Sequence, residues 1–222
     1  MIHIQQFTFN PFGENCSLIW DDKGRCAFID PGYESTEKTQ LTTFVESHGL
    51  IPICIMLTHG HFDHIYGAKD LAQTYDIPIY MDKKEVYSFE HTNPYVCGNY
   101  GLPLAEIPLE ETFRYITEGE IVEVGDLRLE VIETPGHSVG GVCFLERNEK
   151  VLFSGDTLFA GAIGRTDHPG GDYDLLMQSI FSKLMHLDGD ITVIPGHGPD
   201  TDIATERMTN PFLMPFNEPY EE

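Results

Sequence analysis

The order of strand-like and helix-like segments predicts an α/β fold in which two sheets pack face to face with helices outside, as one domain over residues 1–222. Two observations carry this reading. The chain contains two similar runs, and each opens on hairpin strands before passing into strand–helix units. Residues 51–57 and 191–194 are almost continuously apolar, as expected of strands buried on both faces.

Taken in order, residues 2–9 alternate in part and read as a strand. Residues 16–20 and 26–29 flank Asp21-Asp22-Lys23-Gly24, a hairpin signal, and Asp30-Pro31-Gly32 stops the second strand. Residues 36–48 read as a helix, with Leu41, Phe44 and Val45 on one face and Gly49 past the end. The buried strand 51–57 follows, then a polar loop at 58–64, a helix at 65–75 and a short strand at 77–81. Residues 83–91 read as helical. Across 92–111 periodicity is lost, and Pro94, Gly98, Gly101, Pro103 and Pro108 predict an irregular segment. Strands resume at 121–124, 127–132, 142–145 and 151–153, with Gly125-Asp126 as a two-residue turn. A helix at 175–185, a strand at 191–194 and a helix at 203–208 complete the pattern before a Pro-rich, acidic tail.

Composition excludes several function classes. Thirteen Lys and Arg stand against 36 Asp and Glu, a net charge of −23 with His neutral. Such a surface repels phosphate backbones and anionic headgroups, which argues against nucleic-acid and membrane partners. No apolar run approaches the roughly 20 residues a bilayer demands. The N-terminal Met-Ile-His-Ile-Gln-Gln-Phe shows no secretory signal, so a cytoplasmic location is expected. The five cysteines, odd in number and without a Cys-x-x-Cys pair, fit buried reduced thiols.

The segment Thr58-His59-Gly60-His61-Phe62-Asp63-His64 is the most informative in the chain. Imidazole and carboxylate together suit zinc, iron or manganese. In extended backbone, residues two apart face the same way, so His59 and His61 can grip one ion. Asp63 and His64 lie past the turn and can grip a second. Three further candidates stand just after a glycine near a strand end: His137 in Thr134-Pro135-Gly136-His137-Ser138, Asp156 in Phe153-Ser154-Gly155-Asp156-Thr157, and His197 in Ile194-Pro195-Gly196-His197-Gly198. Glycine lets the chain turn sharply and return the ligand over the sheet edge. The other histidines, His3, His48, His91 and His186, show no partner pattern and read as surface residues.

These residues resemble the metallo-β-lactamase superfamily over nearly the whole chain, from Asn15-Cys16 through Asp30-Pro31-Gly32 to Gly196-His197-Gly198. The resemblance implies a four-layer αββα sandwich with mixed sheets and a site at one edge. It implies that His59, His61 and His137 bind one metal, that Asp63, His64 and His197 bind the other, and that Asp156 bridges both. Asp30 is implied as a partner that orients a ligand histidine. Within the superfamily, the short bacterial type II glyoxalases, or hydroxyacylglutathione hydrolases, are the best likeness. Ser154-Gly155-Asp156-Thr157-Leu158-Phe159, Gly164-Arg165-Thr166-Asp167, Pro169-Gly170-Gly171 and Asn210-Pro211-Phe212-Leu213 carry it. Only 25 residues follow His197, so the helical glutathione-binding domain of the larger enzymes is expected to be absent. His168 stands where the likeness leads one to expect a bulky aromatic.

The expected cofactor is a pair of divalent ions, zinc first, with iron or manganese as alternatives. Coordination lowers the pKa of bound water to ~7 and supplies a hydroxide nucleophile. A thiolate, whose parent thiol titrates at about 8.5, leaves without strong acid help, which favours a small-molecule thioester substrate. An amide would need a proton, from Asp63 or a bound water. Arg165 either holds a substrate carboxylate or pairs with Asp167 or Asp172; Tyr95 and Tyr100 either line the cleft or cover a core edge. The competing functions are a persulfide dioxygenase with one iron, a β-lactamase or lactonase, and a metal-dependent scaffold without catalysis.

Overall fold

The computed structural model describes residues 1–33 and 37–214. The start of the predicted helix at 36 and the tail beyond 214 lie outside them. The first sheet runs in the order β1 (His3–Phe9), β2 (Glu14–Trp20), β3 (Arg25–Ile29), β4 (Ile51–Met56), β5 (Ile79–Met81), β6 (Phe113–Tyr115). Its first three strands are antiparallel and the rest join in parallel. Parallel neighbours require crossovers. These are α1 (Lys38–Ser47) between β3 and β4, α2 (Phe62–Ile65) and α3 (Ala68–Tyr75) between β4 and β5, and α4 (Asn93–Tyr100) between β5 and β6.

The second sheet begins as an antiparallel meander of β7 (Ile121–Val124), β8 (Leu127–Glu133), β9 (Val142–Glu146) and β10 (Val151–Gly155). A small hairpin of β11 (Leu158–Phe159) and β12 (Ala162–Ile163) and the helix α5 (Tyr173–Ser179) lead to β13 (Thr192–Pro195), which lies parallel to β10. The edge strand β14 (Thr201–Asp202) and α6 (Ile203–Thr209) follow.

Strand alternation builds three apolar layers. In β2 and β3, Leu18, Cys26 and Phe28 face outward onto Leu41 and Val45 of α1 and Leu71 of α3. Their sequence neighbours Ile19, Ala27 and Ile29 face inward and meet Val122, Leu129, Val131, Phe144 and Phe153 of the second sheet. On the far side, Cys143, Leu145 and Leu152 pack under Leu176, Ile180 and Ile203. The central strands are apolar on both faces because both faces are covered. This is the four-layer arrangement the sequence predicts. All five cysteines are buried and free. No helix among the described residues is long and apolar enough to cross a membrane.

Four local expectations need correction. Residues 92–111 are not irregular throughout: α4 occupies Asn93–Tyr100. Pro94 is tolerated in its first turn, where a missing N–H costs nothing, and Gly101 closes it in the left-handed region. With only Asn93 and Cys97 buried, it carries no apolar stripe for periodicity to reveal. The helix expected at 65–75 is two helices, broken where the Gly67 N–H leaves the helical ladder and donates to the Pro31 carbonyl (2.8 Å). The loop expected at 58–64 ends early, because α2 begins at Phe62. The helix expected at 83–91 is a 3₁₀ turn at Lys83–Glu85 and a π-turn at Ser88–Thr92 that runs into α4.

Candidate metal centre

Leu57 and Thr58 carry the chain off the end of β4. His59 and Gly60 follow without regular structure, His61 is extended at the N-cap, and α2 then starts, with Asp63 in its first turn. His137 lies in the turn between β8 and β9, Asp156 directly after β10, and His197 just beyond the end of β13, after Gly196. These loops share one edge of the sandwich.

The seven side chains converge. One ligand-type atom from each of His59, His61 and His137 lies within 4.8 Å of the others, and the same holds for Asp63, His64 and His197. His61 Nδ1 is 2.9 Å from His137 Nε2, and His64 Nε2 is 3.2 Å from His197 Nε2. Asp156 stands between the triads. Its Oδ1 is 3.4 Å from His64 Nε2, and its Oδ2 is 3.5 Å from His137 Nε2 and 3.6 Å from His197 Nε2. Asp63 Oδ2 is 3.5 Å from His197 Nε2.

Partners on the far side of four of the five rings fix their tautomers. A carbonyl can only accept, so His137 donates from Nδ1 to Arg165 O (2.7 Å) and His197 from Nδ1 to Phe12 O (3.2 Å). Asp30 accepts from the Thr58 N–H (2.7 Å), the Thr58 hydroxyl (2.6 Å) and His64 Nδ1 (3.1 Å). The Thr58 hydroxyl, its proton given to Asp30, accepts from His59 Nδ1 (3.0 Å). His59, His64, His137 and His197 thus turn Nε2 towards the centre, a lone pair wherever the ring is neutral. Against the opposing effect of burial, Asp156 and Asp63 hold His64 and His197 above the usual histidine range, so a cation bound there would displace their protons.

Among the described residues, His59 Nε2, His61 Nε2 and Asp156 Oδ1 are buried with no hydrogen-bond partner. Each such orphan costs about 1–3 kcal/mol. Lone pairs and carboxylates crowded together with so few protons form the donor set a divalent cation takes. Burial, then neighbouring imidazoles, push His59 and His61 well below the usual histidine range, and burial pushes His137 down to about 4 against the pull of Asp156. Neutral imidazole is the form that binds metal. Burial opposes charge on Asp156 too, but His64, His197 and His137 outweigh it and hold its carboxyl far below the usual range.

The centre opens into a cleft of about 670 Å³. Phe12, Phe62, Phe159 and Ile163 supply apolar wall, and Tyr95 and Tyr100 of α4 line it while remaining 54% and 68% exposed. Arg165 lies at the rim and grips Asp167 with two hydrogen bonds (2.9 and 3.1 Å). Arg165 thus pairs with Asp167 at the rim, whereas Asp172 caps α5 through the Leu175 N–H.

Sequence reasoning missed several residues around the centre. Thr58 links Asp30 to His59, Asn93 holds the Gly60 carbonyl, and Glu85 binds the Gly60 N–H. The Lys83-Lys84-Glu85 run reads as a solvated surface, so nothing local announces that Glu85 is buried. His168, which the sequence does mark as standing where a bulky aromatic is expected, packs edge-on against His61 and His137, with ring centroids 4.8 and 5.1 Å apart.

Two mixed sheets with outer helices, and a His/Asp centre at the strand ends, define the class. The chain belongs to the metallo-β-lactamase superfamily, whose sequence profile matches residues 9–197. It is a hydrolase of that superfamily, with side-chain clusters suited to divalent metal. The hydroxyacylglutathione hydrolase GloC of Haemophilus influenzae is 40% identical over 213 residues, covering 96% of this chain and 98% of that protein. The BLEG-1 B3 metallo-β-lactamase superposes with a TM-score of 0.86 at 35% identity, covering 96% of this chain and 100% of that one. TTHA1623, crystallised in a di-iron-bound form, superposes with a TM-score of 0.83 at 35% identity, covering 94% and 100%.

Proposed function

We propose that the chain hydrolyses thioesters of small molecules, with two divalent ions held by His59, His61 and His137 and by Asp63, His64 and His197, and with Asp156 shared between them. The convergence of both triads on one carboxylate at the head of an apolar cleft is the observation that carries this reading. The thioester preference draws support from the likeness to GloC. It also fits a leaving thiolate, which needs no proton on departure.

When bound, such ions supply a water nucleophile at neutral pH and an electrophile for developing oxyanion charge. The chain's own groups do the rest. Asp30, Thr58 and the carbonyls of Phe12 and Arg165 hold four imidazoles in one tautomer and orientation. Phe12, Phe62 and Phe159 exclude bulk water from one side of the scissile bond. Arg165 and Asp167, each 69% exposed, form a rim pair worth little by itself, so exchanging Asp167 for a substrate carboxylate is cheap. Asp63, its Oδ2 3.5 Å from His197 Nε2, completes the second triad.

Metal analysis of the purified protein, coupled to a panel of thioesters with and without the glutathione portion, tests the proposal. Two metal ions per chain and a kcat/KM for S-lactoylglutathione above that for a chromogenic β-lactam are expected. The reverse order would move the assignment towards the lactamases. Oxygen uptake with glutathione persulfide and one iron per chain would replace hydrolysis with oxidation.

A further inference from the structure

We infer that Glu85 is a positioning residue for the centre: its two carboxylate oxygens tie together the separate loops that carry His59, His61 and His137. The inference rests on reading those three histidines as metal ligands.

Glu85 ends the 3₁₀ turn after β5 and is 0% exposed. Its Oε2 accepts from the Gly60 N–H (2.7 Å) and the Ser88 hydroxyl (2.7 Å), and its Oε1 accepts from the Gly140 N–H (2.7 Å). Gly60 separates His59 from His61. Gly140 lies in the turn that carries His137 and leads into β9. The first loop leaves the first sheet and the second belongs to the other sheet, so one buried side chain spans the two halves of the sandwich beneath the centre. Asn93, also buried, donates from Nδ2 to the Gly60 carbonyl (2.9 Å), so the peptide groups on both sides of Gly60 are held.

A buried carboxylate is costly unless its oxygens are satisfied, and here short charge-assisted hydrogen bonds do so. These bonds bear on the approach of His61 Nδ1 to His137 Nε2, which is the separation two ligands of one ion must keep. Glu85 lines no part of the cleft and donates nothing to it, so its action runs through the backbone of the loops. Glutamine preserves its shape but offers one acceptor oxygen and an NH₂ group. Glu85→Gln can serve one loop and presents a donor to the other.

Chelator competition on Co²⁺-loaded full-length protein tests this, read by d–d absorption, with His59→Ala and His197→Ala marking the first and second sites. Wild-type protein is expected to hold two Co²⁺ per chain. Glu85→Gln is expected to weaken the first site by about tenfold, the lower end for changes behind a ligand, and to shift its absorption bands while the second site stays within about twofold. Equal weakening of both sites in step with a fall in Tm, or no change at either, overturns the inference and leaves the metal centre standing. A wild type that holds no Co²⁺ overturns the metal centre and the inference together. If Glu85→Gln fails to fold, Asn93→Ala decides. Selective loss at the first site supports the tie, and an unchanged spectrum and affinity overturn it.

Discussion

At Asp30 one carboxylate meets three donors, and through them it sets the orientation of His59 and His64, which belong to different triads. Its φ of +48° lies in the left-handed region, which asparagine tolerates, so Asp30→Asn removes an acceptor without straining the backbone. Metal affinity is expected to fall by roughly 10–100-fold in that variant, measured by chelator competition. His59→Ala, Asp156→Ala and His197→Ala are each expected to lower turnover by orders of magnitude while circular dichroism stays native. Near-native kcat in the Asp156 variant would remove the shared-ligand role. Asp21 offers a test away from the centre. Burial alone would raise its carboxyl, but hydrogen bonds from Arg25 and from the Asp126, Arg25 and Lys23 N–H groups bring it down to about 2 from an ordinary 3.8. A depressed native pKa stabilises above the unfolded value, here by about 2 kcal/mol, and that contribution is lost as pH falls from about 4 towards 2. Urea unfolding should therefore show Asp21→Asn weaker than wild type at pH 6, with the gap closing under acid. The seven candidate ligands were legible because histidines and aspartates after strand-ending glycines are chemically conspicuous. Glu85, Thr58 and Asn93 were not, since a burial partner far along the chain leaves no mark beside them.

The elements legible in the sequence are those whose apolar pattern answers to a layer. Leu18 and Ile19, adjacent in β2, go to opposite faces of the first sheet, and both faces are core. α4 escaped because it covers the cleft instead of a core and buries only Asn93 and Cys97. The short edge strands β6 and β14 escaped for want of length. Gly155, which ends β10, shows how an element end reaches the centre. Its φ is +49°, and a Cβ there would sit 2.2 Å from the Thr58 hydroxyl. Gly155→Ala is expected to cost about 1–3 kcal/mol in urea unfolding, as overpacking and strain do, and to lower metal affinity by displacing Thr58 from His59. Phe144→Ala, between the sheets, is expected to cost about 3–5 kcal/mol and leave the centre's chemistry intact in the fraction that folds.

For the molecule as a whole, a net charge of −23 surrounds a centre built to receive cations. Raising ionic strength is expected to slow metal uptake, because screening weakens the attraction that gathers cations from solution. The repeat of hairpin strands followed by strand–helix units was visible along the chain, and it foretold two sheets. How they meet was not visible, because the apolar layer between the sheets gathers residues remote in sequence, Ile29 and Phe144 among them. Each triad draws two side chains from the first half of the chain and one from the second: His59 and His61 with His137, Asp63 and His64 with His197. An ion in either triad is thus a rivet through both halves. At a free concentration of 100 times its Kd, such a rivet adds about 2.7 kcal/mol, so stripping it should lower Tm by about 5–10 °C and quicken protease digestion. Starvation for metal would then remove the protein as well as its activity, making the amount of surviving chain a gauge of supply.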